Sequence, residues 1–194
     1  MKLIFATQNQ HKRDEVQAIL GNAIELISLR DLGFTDELPE THLALDENAI
    51  EKARFIHEKF NENCFAEDTG LEVIALGGAP GVFSARYAGE SKDADANIRL
   101  LLKNMEGIND RRARFRTVIA LVVDNQEFLF EGEIEGTIAT IQSGHEGFGY
   151  DPVFIPENHH KTFAEMGEDE KNRISHRAKA VTAFNKFLSH LSKS

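Results

Sequence analysis

The chain has 194 residues, 41% of them hydrophobic and 28% charged, with a formal net charge of −10. That length and composition fit one soluble globular domain with a sizeable core, and the acidic balance argues against broad binding to nucleic acid or to an anionic membrane. A single cysteine, Cys64, excludes an intramolecular disulfide framework and suits a reducing compartment; the opening apolar run is too short for a signal peptide or a membrane span, so a cytoplasmic protein is expected.

In chain order, Leu3 to Ala6 is a short apolar run that predicts a buried strand. It leads into the polar loop Thr7, Gln8, Asn9, Gln10, His11 and Lys12, and then into a helix carrying Val16, Ala18, Ile19 and Leu20, with Gly21 as its C-cap. A strand–loop–helix junction with a hydroxyl, an amide and a lysine can present N–H groups and a cation to a phosphate, although the glycines of a Walker loop are missing. A second strand is expected over Glu25 to Leu29, followed by an acidic loop over residues 31 to 46. Leu45, Ala49, Ile50, Ala53, Ile56 and Phe60 then mark a helix of about four turns at helical spacing.

Cys64-Phe65-Ala66 predicts another short strand, ending in Glu67-Asp68-Thr69-Gly70, with extended structure resuming over Leu71 to Leu76. A carboxylate at a strand end beside a hydroxyl and a glycine is placed to hold Mg²⁺ or to orient a water. Asp93 or Asp95 can cap a helix bearing Ile98, Leu101, Leu102 and Met105. Ala113 to Val123 alternates as a half-buried strand and turns at Asp124-Asn125 into a returning strand that reaches Ile141. Phe148, Gly149, Tyr150 and Asp151 form a loop in which two aromatics can offer a ring face to a base and the carboxylate can accept its N–H groups. Val153 to Ile155 reads as a last strand. Ser175 then caps a closing helix whose first turn holds His176 and Arg177, with Lys171 close before it. Cationic side chains are disfavoured at the positive end of a helix, so this pair points to an anion or an electron-rich ligand oxygen. Mixed strands and helices with one long hairpin predict an α/β fold on a mixed sheet, in a single domain over residues 1–194.

Taken in this order, Thr7-x-Asn9-x-x-Lys12, Glu47-Asn48-Ala49, Glu67-Asp68-Thr69-Gly70-Leu71, Pro80 to Tyr87, Phe148-Gly149-Tyr150-Asp151-Pro152, Glu170-Lys171-Asn172 and Ser175-His176-Arg177 resemble the inosine/xanthosine triphosphate pyrophosphatases, house-cleaning enzymes that remove deaminated purine nucleotides. The resemblance spans nearly the whole chain. It implies a long mixed β-sheet flanked by helices, two lobes around a central active-site cleft, a homodimer, and Mg²⁺-dependent hydrolysis of ITP, dITP or XTP to monophosphate and pyrophosphate. It further implies Asp68 as general base and metal ligand, with Glu40 as accessory metal ligand. Thr7 to Lys12, Thr69 and Lys171 would sit on the triphosphate; Phe148, Gly149, Tyr150, Asp151, His176 and Arg177 would sit on the base. The chain departs from the family's pattern at His42-Leu43-Ala44-Leu45, where Gly-x-Thr-Phe is usual, and at Glu67, where an aspartate is common, so either Glu40 or Glu67 is open as the second metal ligand. The nearest rival is a pyrophosphatase for other modified nucleotides on a related fold; a rival of another class is a nucleotide sensor without turnover.

Overall fold

A computed structural model describes residues 2–21 and 24–191. In chain order its strands are β1 (Lys2–Phe5), β2 (Glu25–Ser28), β3 (Cys64–Val73), β4 (Pro80–Gly81), β5 (Arg112–Val123), β6 (Gln126–Ile138) and β7 (Phe154–Pro156). Its helices are α1 (Gln10–Leu20), α2 (Leu45–Phe60), α3 (Ala94–Asn104), α4 (Glu168–Ile174) and α5 (His176–Leu191). Among the described residues the strands form one seven-stranded sheet in the order β2-β1-β3-β5-β6-β7, with β4 paired to β3. β1 runs parallel to β2 and to β3, whereas β4 on β3 and β7 on β6 are antiparallel. This is the mixed α/β sheet that the sequence predicts. No helix among the described residues is long and apolar enough to cross a membrane.

The chain divides into two compact units. The described residues of the first lie within 2–21, 24–68, 117–132 and 177–191. Parallel pairing of β1 with β2 and β3 requires crossover connections, and α1 and α2 supply them. Asn9 caps α1 by accepting from the Lys12 N–H at 3.1 Å. Gly21 ends it at φ +65°, as expected of a glycine C-cap. α2 places Asp46 and Glu47 in its first turn and His57 and Lys59 in its last, charges that complement the helix dipole. Phe5 stacks on Phe65 with ring centroids 4.4 Å apart, and Phe184 of α5 packs on Phe65 at 4.8 Å. Val16, Leu26, Ile119, Val181 and Leu188 complete this buried core.

The second unit comprises residues 69–116 and 133–176. Its core is built on Leu71, Ile98, Leu101, Phe115, Val153, Phe154 and Phe163. Asp93 is the α3 cap, accepting from Ala96 N–H at 3.0 Å. The β5–β6 turn at Asp124-Asn125 lies in the first unit; both residues have positive φ, the two-residue hairpin geometry expected there.

The course of β3 differs from expectation. β3 is one continuous strand from Cys64 to Val73, so Glu67-Asp68-Thr69-Gly70 lies within a strand and does not end one. The glycine makes this possible: a Cβ on Gly70 would stand 2.7 Å from the Gly81 carbonyl oxygen, so only glycine lets β4 lie this close. The Glu170-Lys171-Asn172 stretch is helical, in α4, which meets α5 at an extended Ser175. Its seven residues are too few for the apolar repeat that identifies a helix in sequence.

Candidate active site

The first unit carries two linked ionic clusters. In one, α2 presents a row of side chains to residues 40–42 of the acidic loop. Lys52 Nζ donates to Glu40 Oε1 at 2.8 Å and to Asp68 Oδ1 at 2.9 Å. Glu51 accepts from the Thr41 N–H at 2.9 Å and the Thr41 hydroxyl at 2.7 Å. Asn48 accepts from the His42 N–H at 2.9 Å and donates to the His42 carbonyl at 3.1 Å and to Asp68 Oδ2 at 3.4 Å. Burial opposes the charge on Lys52, but Asp68 and Glu40 outweigh it and hold the lysine above its ordinary pKa, as an ammonium.

In the other cluster Glu67 is buried between two cations. Arg177 Nε and Nη2 reach it at 3.0–3.1 Å, and Lys12 Nζ lies 3.1 Å from Oε1. Arg177 Nη1 also donates to Glu15 at 2.5 Å. Burial by itself would raise the Glu67 pKa; Arg177 and Lys12 overcome that and pull it down to about 2. Thr7 accepts from the Asn9 N–H at 3.2 Å, Gln8 donates to the Asp36 carbonyl at 2.8 Å, and Gln10 donates to Asp14 at 2.6 Å. His11 is exposed. Lys12 is therefore a cation of the Thr7–Lys12 loop whose ammonium is already aimed by a buried partner.

This geometry gives two residues partners that their neighbourhoods in sequence do not show. Arg177 starts α5 as expected, but its charge is answered by Glu67 and Glu15, and it is 1% exposed. A guanidinium presents a fork of donors that two carboxylates satisfy inside the protein, so the mismatch with the helix dipole is compensated without an external anion. Glu67 is engaged by those same cations, which leaves Glu40 and Asp68 as the carboxylates that converge on one point.

The second unit holds the aromatic loop. Lys171 Nζ donates to Asp151 Oδ2 at 2.6 Å, and that oxygen also accepts from the Phe148 N–H at 2.8 Å. Lys171 lies 4.9 Å from the centroid of the half-buried Phe148 ring. Tyr150 is buried in the core and donates its hydroxyl to the Ser84 carbonyl at 2.9 Å, so Phe148 is the ring with exposed surface. Asp151 thus meets a lysine and a backbone N–H. His176 lies flat on Phe115, centroids 4.6 Å apart, and is buried. Thr69 is half-buried on β3, and Gly149 turns the loop at φ +61°. Gly147, at φ +77°, stands so close to Asp151 that an added Cβ would overlap Oδ2. Gly147→Ala is expected to cost about 1–3 kcal/mol through overpacking at the Asp151–Lys171 pair. A thermal melt identical to that of the parent would contradict this packing.

Sequence reasoning passed over Lys52 and the part played by Asn48. The signal was available: the buried face of α2 reads Leu45, Asn48, Ala49, Lys52, Ala53 and Ile56, which sets an amide and an ammonium at core positions of an amphipathic helix. Buried polar groups at such positions need partners, and partners imply a constructed site.

A family model described as the Ham1 family matches residues 3–187. A Porphyromonas gingivalis protein named dITP/XTP pyrophosphatase is 55% identical over 188 residues, which covers 96% of this chain and 97% of that one. A Christiangramia forsetii protein of the same name is 47% identical over the full length of both. Among solved structures, the Staphylococcus aureus Ham1 protein superposes with a TM-score of 0.89 at 37% identity, covering 98% of this chain and 99% of that one.

Proposed function

The chain belongs to the Ham1 family, and from that premise we propose that it hydrolyses deaminated purine nucleoside triphosphates, ITP, dITP and XTP, to the monophosphate and pyrophosphate. The observation that carries this reading is the 55% identity, over nearly both full lengths, to a protein named dITP/XTP pyrophosphatase. The convergence of Glu40 and Asp68 on a single cation supports it.

The proposal includes Mg²⁺. Among the described residues no group of three or more His, Cys, Asp or Glu side chains could cage a metal. Mg²⁺ does not need such a cage: it takes oxygen ligands and is commonly held by one or two carboxylates plus substrate phosphates. Glu40 and Asp68 fit that donor set, since their oxygens already point at one positive centre. Bound there, Mg²⁺ would supply charge against the phosphate oxygens and make a nearby water more acidic.

The chain's own residues supply the rest. Asp68 takes the proton from the water that attacks the α-phosphorus, and pyrophosphate leaves in line. Lys12, set by Glu67, neutralises phosphate charge together with the Thr7–Lys12 loop and Thr69; Lys171 is a further cation for the same role. Phe148 offers the base a ring face, and Gly149 and Asp151 shape that loop. His176 and Arg177 are proposed to discriminate at purine position 6, where inosine and xanthosine have a carbonyl and adenine an amino group; a donor there pairs with the first and is stranded by the second. We also propose a cytoplasmic homodimer.

A nucleotide panel tests the assignment. ITP, dITP and XTP are expected to release pyrophosphate with kcat/KM at least roughly ten- to a hundredfold above ATP, the ratio that one stranded hydrogen bond of about 1–3 kcal/mol produces. Equal kcat/KM for ITP and ATP would refute the specificity. Stepwise release of single phosphates would make the protein a phosphatase, and preference for a modified pyrimidine or methylated guanine nucleotide would move it to the related pyrophosphatases.

A further inference from the structure

Lys52 raises a question that the proposed chemistry does not answer. Its ammonium occupies the point on which the Glu40 and Asp68 oxygens converge, at 2.8 and 2.9 Å, and its side chain is only 4% exposed. A divalent cation held by the same two oxygens would need that place. We propose that Lys52 is an internal counter-ion that competes with the metal: it holds Glu40 and Asp68 together in the metal-free protein and is displaced when a divalent cation loads.

Three features support displacement over co-occupancy. Two like charges of a lysine and a divalent ion on the same pair of oxygens repel strongly in a buried site. Asp68 is also held by a group other than Lys52, and the segment that carries Glu40 is clamped next to it, so both carboxylates stay close when the lysine leaves. Asn48 contacts Asp68 Oδ2, the oxygen that Lys52 does not use, and clamps both the N–H and the carbonyl of His42. Glu51 clamps Thr41, next to Glu40. Finally, lysine is a point charge on a flexible four-carbon stem, suited to swinging away, whereas the arginine of the neighbouring cluster is locked by a fork of bonds to Glu67 and Glu15. On the reading of the protein as a triphosphate hydrolase, the displaced ammonium becomes a further cation for the substrate's phosphates, so that loading the metal and arming the phosphate site are one event.

The competing view is that Lys52 is a plain structural partner whose loss disorganises the carboxylates. The two views predict opposite signs. With Mn²⁺ alone as probe, measured by calorimetry or by electron paramagnetic resonance without nucleotide, Lys52→Met is expected to bind at least about tenfold more tightly than the parent. Lys52→Arg, which keeps the charge, is expected to bind no more tightly than the parent. Metal-free Lys52→Met should melt lower than the parent and gain more from added Mn²⁺. Weaker Mn²⁺ binding by Lys52→Met, equal binding, or binding by neither protein overturns the proposal.

If Lys52→Met does not fold, the parent protein gives the answer through NMR of its lysine ammonium groups. A protected Lys52 signal should be present without metal and be lost or shifted as Mg²⁺ saturates. Mg²⁺ binding reported by the Asn48 side-chain amide with the Lys52 signal unmoved overturns the proposal equally. Neither measurement contains a nucleotide. A protein that releases pyrophosphate from ITP but fails these tests loses the counter-ion exchange and keeps its proposed activity.

Discussion

Asp68→Asn is expected to lower kcat on ITP by about 10²–10⁴ while leaving the protein folded. The substitution keeps the size and planarity of the side chain. Its carbonyl oxygen can still accept from Lys52, although its amide nitrogen would face the Asn48 amide where an acceptor oxygen now lies. What disappears is the oxygen proposed to take the proton from water and one of the two negative charges that converge on Lys52 Nζ. Lys52 retains Glu40, so no buried ammonium is left without a carboxylate. The cost should therefore fall on catalysis and metal binding, with nucleotide affinity partly retained through Lys12 and Phe148. The check is kcat at saturating Mg²⁺, with a melting curve and ITP affinity on the same sample. A folded Asp68→Asn protein with more than about a tenth of parental kcat would exclude Asp68 as the base.

The second large effect is on stability. Glu67→Gln is expected to destabilise the fold by about 3–5 kcal/mol, because Arg177 is fully buried and would lose the negative charge that accepts from its Nε and Nη2. In a chain of this size that corresponds to a fall in Tm of very roughly 6–20 °C. The same residue gives a pH signature. The Glu67 pKa is depressed in the folded protein to about 2, from an ordinary 4.5. Its contribution is thus fully present above about pH 4.5 and is lost as pH falls toward 2, where the folded protein must also take up the proton. The parent should lose stability steeply across that window, and Glu67→Gln should show a shallower acid limb. Parallel acid limbs would mean that other carboxylates carry the acid sensitivity. The mutation also releases Lys12 from its buried partner, so a rise in KM for every triphosphate alike is expected beside the stability loss.

The two substitutions concern adjacent residues of β3 and should nonetheless part company. Successive side chains of a strand point to opposite faces. Glu67 meets Arg177, from the start of α5, and Lys12, from α1; Asp68 meets Asn48 and Lys52 of α2. The separation of Glu67 and Asp68 into two ionic clusters follows from the strand's alternation, which depends on this stretch being strand and not loop.

Local rules determined a large part of this protein from the sequence alone. The caps at Gly21 and Asp93, the turn at Asp124-Asn125 and the apolar spacing of α2 act within a few residues of chain, so residue type and spacing suffice to read them. The order of the motifs was likewise legible as a family resemblance. Only the tertiary structure decided who pairs with whom. Arg177 and Glu67 are 110 residues apart and Lys171 and Asp151 are 20 apart, and charge pairing over such separations leaves no local pattern. The stretch Glu67 to Gly70 reads as a strand end because aspartate, threonine and glycine favour turns, but it lies inside a ten-residue strand of the sheet, whose tertiary context overrides that propensity. Arg177 has no counter-charge among its neighbours in sequence; folding brings Glu15 and Glu67 to it, the partners a buried guanidinium requires.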